Sequence, residues 1–374
     1  MLKSMLIILV VLSAHLMVSG AHPAPYQVFF TGEDIAAIED ISLCATDHSI
    51  YAAYTPPDTQ ETVVAQLTPD LAEIRTTRWN IVSPCIKAYQ NQNIYLAGIL
   101  GESIVVYVLS FELETIDQFT FEVEEPVNVC ILPCEHGLFV SYVHRFLEDG
   151  LLRQDVFVKK FDFSFSEIAS ARLTSWFYWM DPCMTMYNDK IVISYSFTSL
   201  QPFIGRYLAI VTLDKDLEKV KEVNYPKEQK PGAIVGKNVT QPNITGIDSG
   251  ILLVFRVTDE DFSTSKLTWK GMMTIVPGNI HAIVLSEDLT IEEEIIITKD
   301  SKEEYEPAVI SAFDRVYLAH YVSTQKKQYL EVVYADSVHE LVESFPAPRT
   351  YWPYLVGAGV IVILAGWYLY SRRS

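Results

Sequence analysis

Hydrophobic residues along the middle of the chain fall in short runs, each closed by a cluster of polar, turn-forming residues. The runs recur in one phrase. It reads Asp40-Ile-Ser…Ile50-Tyr-Ala-Ala-Tyr54, Pro84-Cys-Ile…Ile94-Tyr-Leu-Ala-Gly98 and Val129-Cys-Ile…Leu138-Phe-Val-Ser-Tyr142. It returns as Pro182-Cys-Met…Ile191-Val-Ile-Ser-Tyr195, Pro242-Asn-Ile…Ile251-Leu-Leu-Val-Phe255 and Pro307-Ala-Val…Val316-Tyr-Leu-Ala-His320. Turn formers such as Asp47-His-Ser, Glu135-His-Gly and Asn188-Asp-Lys separate the paired runs, so each phrase predicts a β-hairpin. Further apolar runs follow every phrase, among them Val156–Phe161 and Tyr207–Leu213, and lead through a polar turn such as Asp216-Leu-Glu into another short strand.

Four short strands repeated six times predict an all-β fold, a six-bladed β-propeller, with almost no helix between residues 33 and 345. A pair of β-sandwiches also uses many short strands, but it gives no reason for one phrase to return six times. The anchors Ile50, Ile94, Leu138, Ile191, Ile251 and Val316 grow further apart along the chain. The later units therefore carry insertions, expected as surface loops at Pro226–Gly236 and Asp259–Gly271. Over residues 33–345 the repeat resembles the Pro-x-hydrophobic…Ile-Tyr-Leu-Ala-Tyr blades of sialidase-like and glycosidase-like propellers. The resemblance implies architecture. The Ser-x-Asp-x-Gly-x-Thr-Trp box of sialidases is absent, so no sialidase activity follows from it.

The ends carry a different pattern. Lys3, the apolar run Leu6–Val18 and the small residues Ser19, Gly20 and Ala21 form a signal peptide over residues 1–21. From Tyr351 to Tyr370 no residue is charged, and a helix of that length spans a bilayer core of about 30 Å. Tyr351, Trp352 and Tyr354 mark one boundary and Trp367, Tyr368 and Tyr370 the other, as an aromatic belt requires. Arg372 and Arg373 follow and should stay inside. The expected organisation is a signal peptide (1–21), an ectodomain (22–345), a short linker (346–350), a transmembrane helix (351–370) and a cytoplasmic tail (371–374). This places the chain at the cell membrane, spanning it once through the lipid bilayer. The sequons at Asn238 and Asn243 would then be glycosylation acceptors, with Asn238 favoured because Asn243 falls within a strand pattern.

A net charge of −19 opposes binding to a phosphate backbone, so no nucleic-acid partner is expected. The five cysteines Cys44, Cys85, Cys130, Cys134 and Cys183 show no zinc-type spacing. Cys85, Cys130 and Cys183 hold near-equivalent places in three successive units and are expected to be free thiols at similar depth. Neither a metal nor a cofactor is implied.

In a propeller the residues just before the repeating phrase converge on the mouth of the central channel. Here they include Asp40, Asp181 and Glu306, with Glu124 and Glu125 displaced by a few positions. Converging carboxylates can serve as an acid and base pair in glycoside cleavage. Trp176 and Trp179 precede Asp181 and offer an aromatic platform beside it, while His144-Arg145 is at most a rim contact. No nucleophile or oxyanion motif accompanies them. The favoured reading is therefore a non-enzymatic binding or scaffolding protein for an extracellular protein, peptide or glycan, contacting it through Trp176, Trp179, Asp181 and Glu306. The alternative is an extracytoplasmic glycoside hydrolase or lyase using Asp40, Asp181 and Glu306.

Overall fold

The structure is a computed structural model. It describes residues 25–345 except 31–40, 57–58, 91, 149–150, 175–178, 200–204, 227–237, 259–277, 299–302 and 324–327. The expected signal peptide, linker, membrane span and tail lie outside these residues, as do 227–236 and 259–271 of the expected loops. Among the described residues no helix is long and apolar enough to cross a membrane.

After strand β1 (Tyr26–Phe30), five consecutive antiparallel meanders follow. Blade 1 is β2 (Ile41–Ala45), β3 (Ile50–Tyr54), β4 (Thr62–Leu67) and β5 (Glu73–Trp79). Blade 2 is β6 (Val82–Tyr89), β7 (Asn93–Leu100), β8 (Ser103–Leu109) and β9 (Thr115–Glu122). Blade 3 is β10 (Pro126–Cys134), β11 (Gly137–Glu148), β12 (Leu151–Phe161) and β13 (Glu167–Arg172). Blade 4 is β14 (Trp179–Tyr187), β15 (Lys190–Ser199), β16 (Gly205–Leu213) and β17 (Lys219–Tyr225). Blade 5 is β18 (Asn238–Ile247), β19 (Gly250–Thr258), β20 (Asn279–Leu285) and β21 (Ile291–Ile296).

Blade 6 departs from the expected pattern. Its strands β22 (Glu303–Ala312), β23 (Arg315–Ser323) and β24 (Gln328–Ala335) are completed by β1, which pairs antiparallel with β24 from Tyr26↔Val332 to Phe30↔Gln328. The fourth strand comes not after residue 334, as the repeat predicts, but from residues 26–30. Covering β24 with β1 satisfies a row of backbone groups that would otherwise form a bare edge. After β24 the chain forms the short helix α1 (Val338–Ser344), in keeping with an expectation of almost no helix. Ser337 caps it by accepting from the Glu340 N–H at 3.3 Å. Val338, Leu341 and Phe345 pack with Leu252, Ile280 and Leu318, sealing the seam between blades 5 and 6.

The hairpins explain the repeated phrase. In the Ile-Tyr pair the tyrosine reaches the next blade: the Tyr51 hydroxyl donates to the Phe111 carbonyl at 3.0 Å, and the Tyr317 hydroxyl to the Pro69 carbonyl at 2.9 Å. Those carbonyls belong to the turns between the third and fourth strands, which form a second repeat. In five blades such a turn opens on Thr68, Ser110, Asp162, Ser286 or Asp214, whose side-chain oxygen accepts backbone N–H bonds from within the turn. Each turn then presents an apolar residue in the left-handed region: Leu71, Leu113, Phe165, Leu217 and Leu289. The turns between first and second strands are equally tight. At Gly137 and Gly250 φ is +121° and +149°, and a Cβ there would collide with the carbonyl oxygens of Phe161 and Leu285.

A meander that alternates direction puts its connections on two faces. Tight turns occupy one face. The long connections between β1 and β2, β17 and β18, and β19 and β20 all leave from the other, where the chain enters each innermost strand. The site lies at that entrance.

Candidate functional site

Five innermost strands break register at one place: between Val82 and Cys85, Val127 and Val129, Met180 and Cys183, Thr240 and Asn243, and Tyr305 and Ala308. At each bulge one non-glycine residue has positive φ: Ser83 (52°), Asn128 (48°), Asp181 (56°), Gln241 (56°) and Glu306 (50°). A bulge re-aims a side chain out of the strand's alternation. In four of these blades the next residue is proline, which forfeits no ladder bond because the bulge has already interrupted pairing. The repeating proline thus marks a device that turns a polar side chain toward the axis.

Four of these five residues, all but Ser83, share a cavity of about 50 Å³. Its walls come from all six blades and include Asn128, Asp181, Gln241 and Glu306, with Lys87 reaching in from β6. Asp181 and Glu306 therefore lie on one cavity, at the face predicted for them. Both are engaged. The Gln241 carboxamide nitrogen donates to Glu306 Oε1, while its oxygen accepts from the Glu306 backbone N–H at 3.3 Å. Asp181 Oδ2 accepts from Ser196 Oγ at 3.2 Å.

Beneath this ring lies a second one, made by the residue two places further on. Ser42 Oγ accepts from the Ile86 N–H at 3.0 Å, Cys85 Sγ from the Ile131 N–H at 3.3 Å and Cys130 Sγ from the Met184 N–H at 3.3 Å. Cys183 accepts from the Ile244 N–H, and Asn243 Oδ1 from the Val309 N–H at 3.1 Å. The inner edge of a propeller's first strand has no neighbouring strand, so its N–H groups need other acceptors. Blades 1 to 5 here each lend one to the next. In blade 6 the equivalent residue is Ala308, whose methyl accepts nothing.

All five cysteines are free and buried. Cys85, Cys130 and Cys183 are 5%, 2% and 6% exposed, the common depth their repeat positions required. Cys85 Sγ and Cys130 Sγ are 3.5 Å apart. Hydrogen bonding by Cys130 lowers the Cys85 thiol to about 6; burial opposes the shift and the Lys87 charge assists it. The same partner lowers Cys183, whereas Cys130, placed between two thiols, is raised and keeps its proton. Burial works against the Lys87 charge, but the surrounding thiols Cys183, Cys85, Cys130 and Cys44 prevail and raise it.

Other expected residues fall elsewhere. Asp40 and Trp176 lie outside the described residues; the Trp179 backbone pairs with Phe197 in β14. Glu124 and Glu125 do not join the ring. They are exposed, and the Glu125 carbonyl accepts from the Arg145 N–H at 3.3 Å. Blade 3 supplies Asn128 instead, because the bulge and not the sign of the charge defines the position. His144 lies within β11, its ring 5.0 Å from that of Phe146 and 5.6 Å from that of Phe157, and burial lowers its pKa. Asn128, Gln241 and Lys87 also line the cavity but carry no carboxylate, so they were not among the expected residues. The available signal for Gln241 was the position preceding the proline, which is polar in all four units that have one. Among the described residues no group of three His, Cys, Asp or Glu side chains could hold a metal ion.

No family model matches the chain, and no curated protein matches it in sequence. Solved structures do match in shape. A neuraminidase-like protein from A/bat/Guatemala/164/2009 aligns at TM-score 0.50 with 10% identity, over 85% of this chain and 93% of its own. A thermostable family-43 glycoside hydrolase aligns at TM-score 0.45 and 11% identity, over 67% of this chain and 88% of its own. An α-L-arabinofuranosidase from Lactobacillus brevis aligns at TM-score 0.46 and 9% identity, over 69% and 94%. The chain is a six-bladed β-propeller by its own sheet order, and it shares that fold with the neuraminidase-like protein. At these identities the likeness concerns fold alone.

Proposed function

We propose that this protein is a binding propeller, displayed outside the cell and held at the membrane by residues 351–370, which engages an extracellular protein, peptide or glycan through its entrance face. One observation carries the reading. Four bulges place polar residues, Asn128, Asp181, Gln241 and Glu306, on one cavity of about 50 Å³ at the face where the chain enters the innermost strands. Ligand pockets that enclose a small molecule run to roughly 300 Å³ or more. This one admits a water, an ion or the tip of a side chain, so a larger partner is met at the mouth. The engagement of Glu306 by Gln241 fits a recognition surface better than an acid poised for proton transfer.

A glycoside hydrolase is the second reading, favoured by Asp181 and Glu306 lining the same cavity. Full-length protein in detergent, applied to a glycan microarray and incubated with aryl glycosides, separates the two. Retention on the array without turnover is expected, weakened about tenfold or more (1.4 kcal/mol per decade) by Asp181→Asn, with an unchanged unfolding midpoint. Turnover that Glu306→Gln abolishes would establish the hydrolase instead.

A further inference from the structure

The thiols beneath the channel mouth have a chemistry that ligand recognition does not use. Three of them stand on adjacent blades at one depth, and Cys85 and Cys130 are separated by only 3.5 Å between sulfurs. All three line the cavity, and so does Lys87. A thiol that serves only as a small apolar filler needs neither a cavity nor an ammonium group beside it. We propose that Cys85 and Cys130 form an oxidation site in which a peroxide-sized oxidant, admitted through the channel, converts the two thiols to a disulfide.

The geometry assigns the roles. Cys85 faces Lys87, whose charge favours its thiolate, the reactive form. Cys130 retains its proton between Cys85 and Cys183. In the first step the Cys85 thiolate attacks one oxygen of hydrogen peroxide and the O–O bond breaks. The departing hydroxide takes up the proton that Cys85 released on ionising and leaves as water, so Cys85 becomes a sulfenic acid. In the second step the Cys130 sulfur attacks the Cys85 sulfur and the S–O bond breaks. The hydroxide takes the Cys130 proton and leaves as a second water. Two thiols and one peroxide give one disulfide and two waters.

Size sets the specificity. A water occupies about 30 Å³ of liquid, so a cavity of about 50 Å³ receives a peroxide but excludes a tripeptide disulfide. Cys44 and Cys134 are internal controls, since burial raises both and neither lines this cavity. Closing the bond would draw β6 and β10 together and withdraw Cys85 from the Ile131 N–H, coupling oxidation to the blade 2–blade 3 seam.

The test treats full-length protein in detergent with equimolar hydrogen peroxide and maps its peptides without reduction. A linked Cys85–Cys130 peptide is expected as the first product, before any change at Cys44 or Cys134. Cys130→Ser should leave a sulfenic acid at Cys85 that dimedone traps. Lys87→Met should slow thiol loss about tenfold or more, while Lys87→Arg, which keeps the charge and guards against a folding defect, should stay within about twofold of the wild type. Oxidised glutathione at the same concentration should give no link. First reaction at Cys44 or Cys134, a Cys130–Cys183 link as the first product, or intact thiols under excess peroxide would overturn the proposal.

Discussion

At Cys130 the side chain is both core filler and acceptor, and substitutions separate the roles. Serine keeps an acceptor for the Met184 N–H, whereas alanine orphans a buried donor. Cys130→Ser is expected to unfold at higher denaturant than Cys130→Ala by about 1 kcal/mol; the reverse order would mean that apolar packing governs the site. The converse change tests the gap in blade 6. Ala308→Ser supplies the hydroxyl that Ser42 has in blade 1 and should stabilise by about 0.5–1 kcal/mol, read from urea midpoints. The turn leucines show a different balance. Leu217 has φ of 69° and is 6% exposed. A left-handed leucine costs about 1–2 kcal/mol, and burying its side chain offsets that by about 1.5–3 kcal/mol. Leu217→Ala keeps the strained backbone and loses the burial, so a cost of about 2–4 kcal/mol is expected in chemical denaturation.

Among the elements, blade 6 is the seam of the propeller because its first and last strands, β1 and β24, pair there. The Tyr26 hydroxyl donates to Glu73 of blade 1 at 2.9 Å, and Gln27 Nε2 to Glu331 at 2.6 Å, so β1 bridges two blades as well as covering an edge. On the turn face Arg315 donates to Asp70 at 2.9 Å, again joining blade 6 to blade 1. That hydrogen bond lowers the Asp70 carboxyl below its usual range. A depressed carboxylate stabilises above its unfolded value and ceases to do so as pH falls through its folded value. Any stability gap between wild type and Asp70→Asn should therefore exist at neutral pH and shrink as pH falls below the ordinary Asp range of about 3.9. A gap of constant size across that range would rule out the ion pair as its cause.

The hairpins of all six blades were legible because each carries an apolar run, a turn and a second run within one short window. Strand β1 was not, since its pairing with β24 joins opposite ends of the chain and leaves no local trace. Helix α1 was missed because seven residues give too few turns for a period to stand out. Asp181 and Glu306 were legible through the prolines that follow them. Asn128 was hidden because valine replaces that proline and no charge draws attention to it.

At the scale of the whole molecule, the ring makes the two faces unequal. Tight turns braced by side-chain oxygens close one face, while the other gathers the bulges, the polar ring and the longest connections. A recognition surface of this kind serves an extracellular partner only if the propeller stands outside the membrane with its basic end inside. The direct measurement is protease digestion of intact cells carrying an epitope tag after Ser374. Release of a large propeller fragment is expected, with the tag protected until the membrane is permeabilised. Loss of the tag from intact cells while the propeller survives would contradict it.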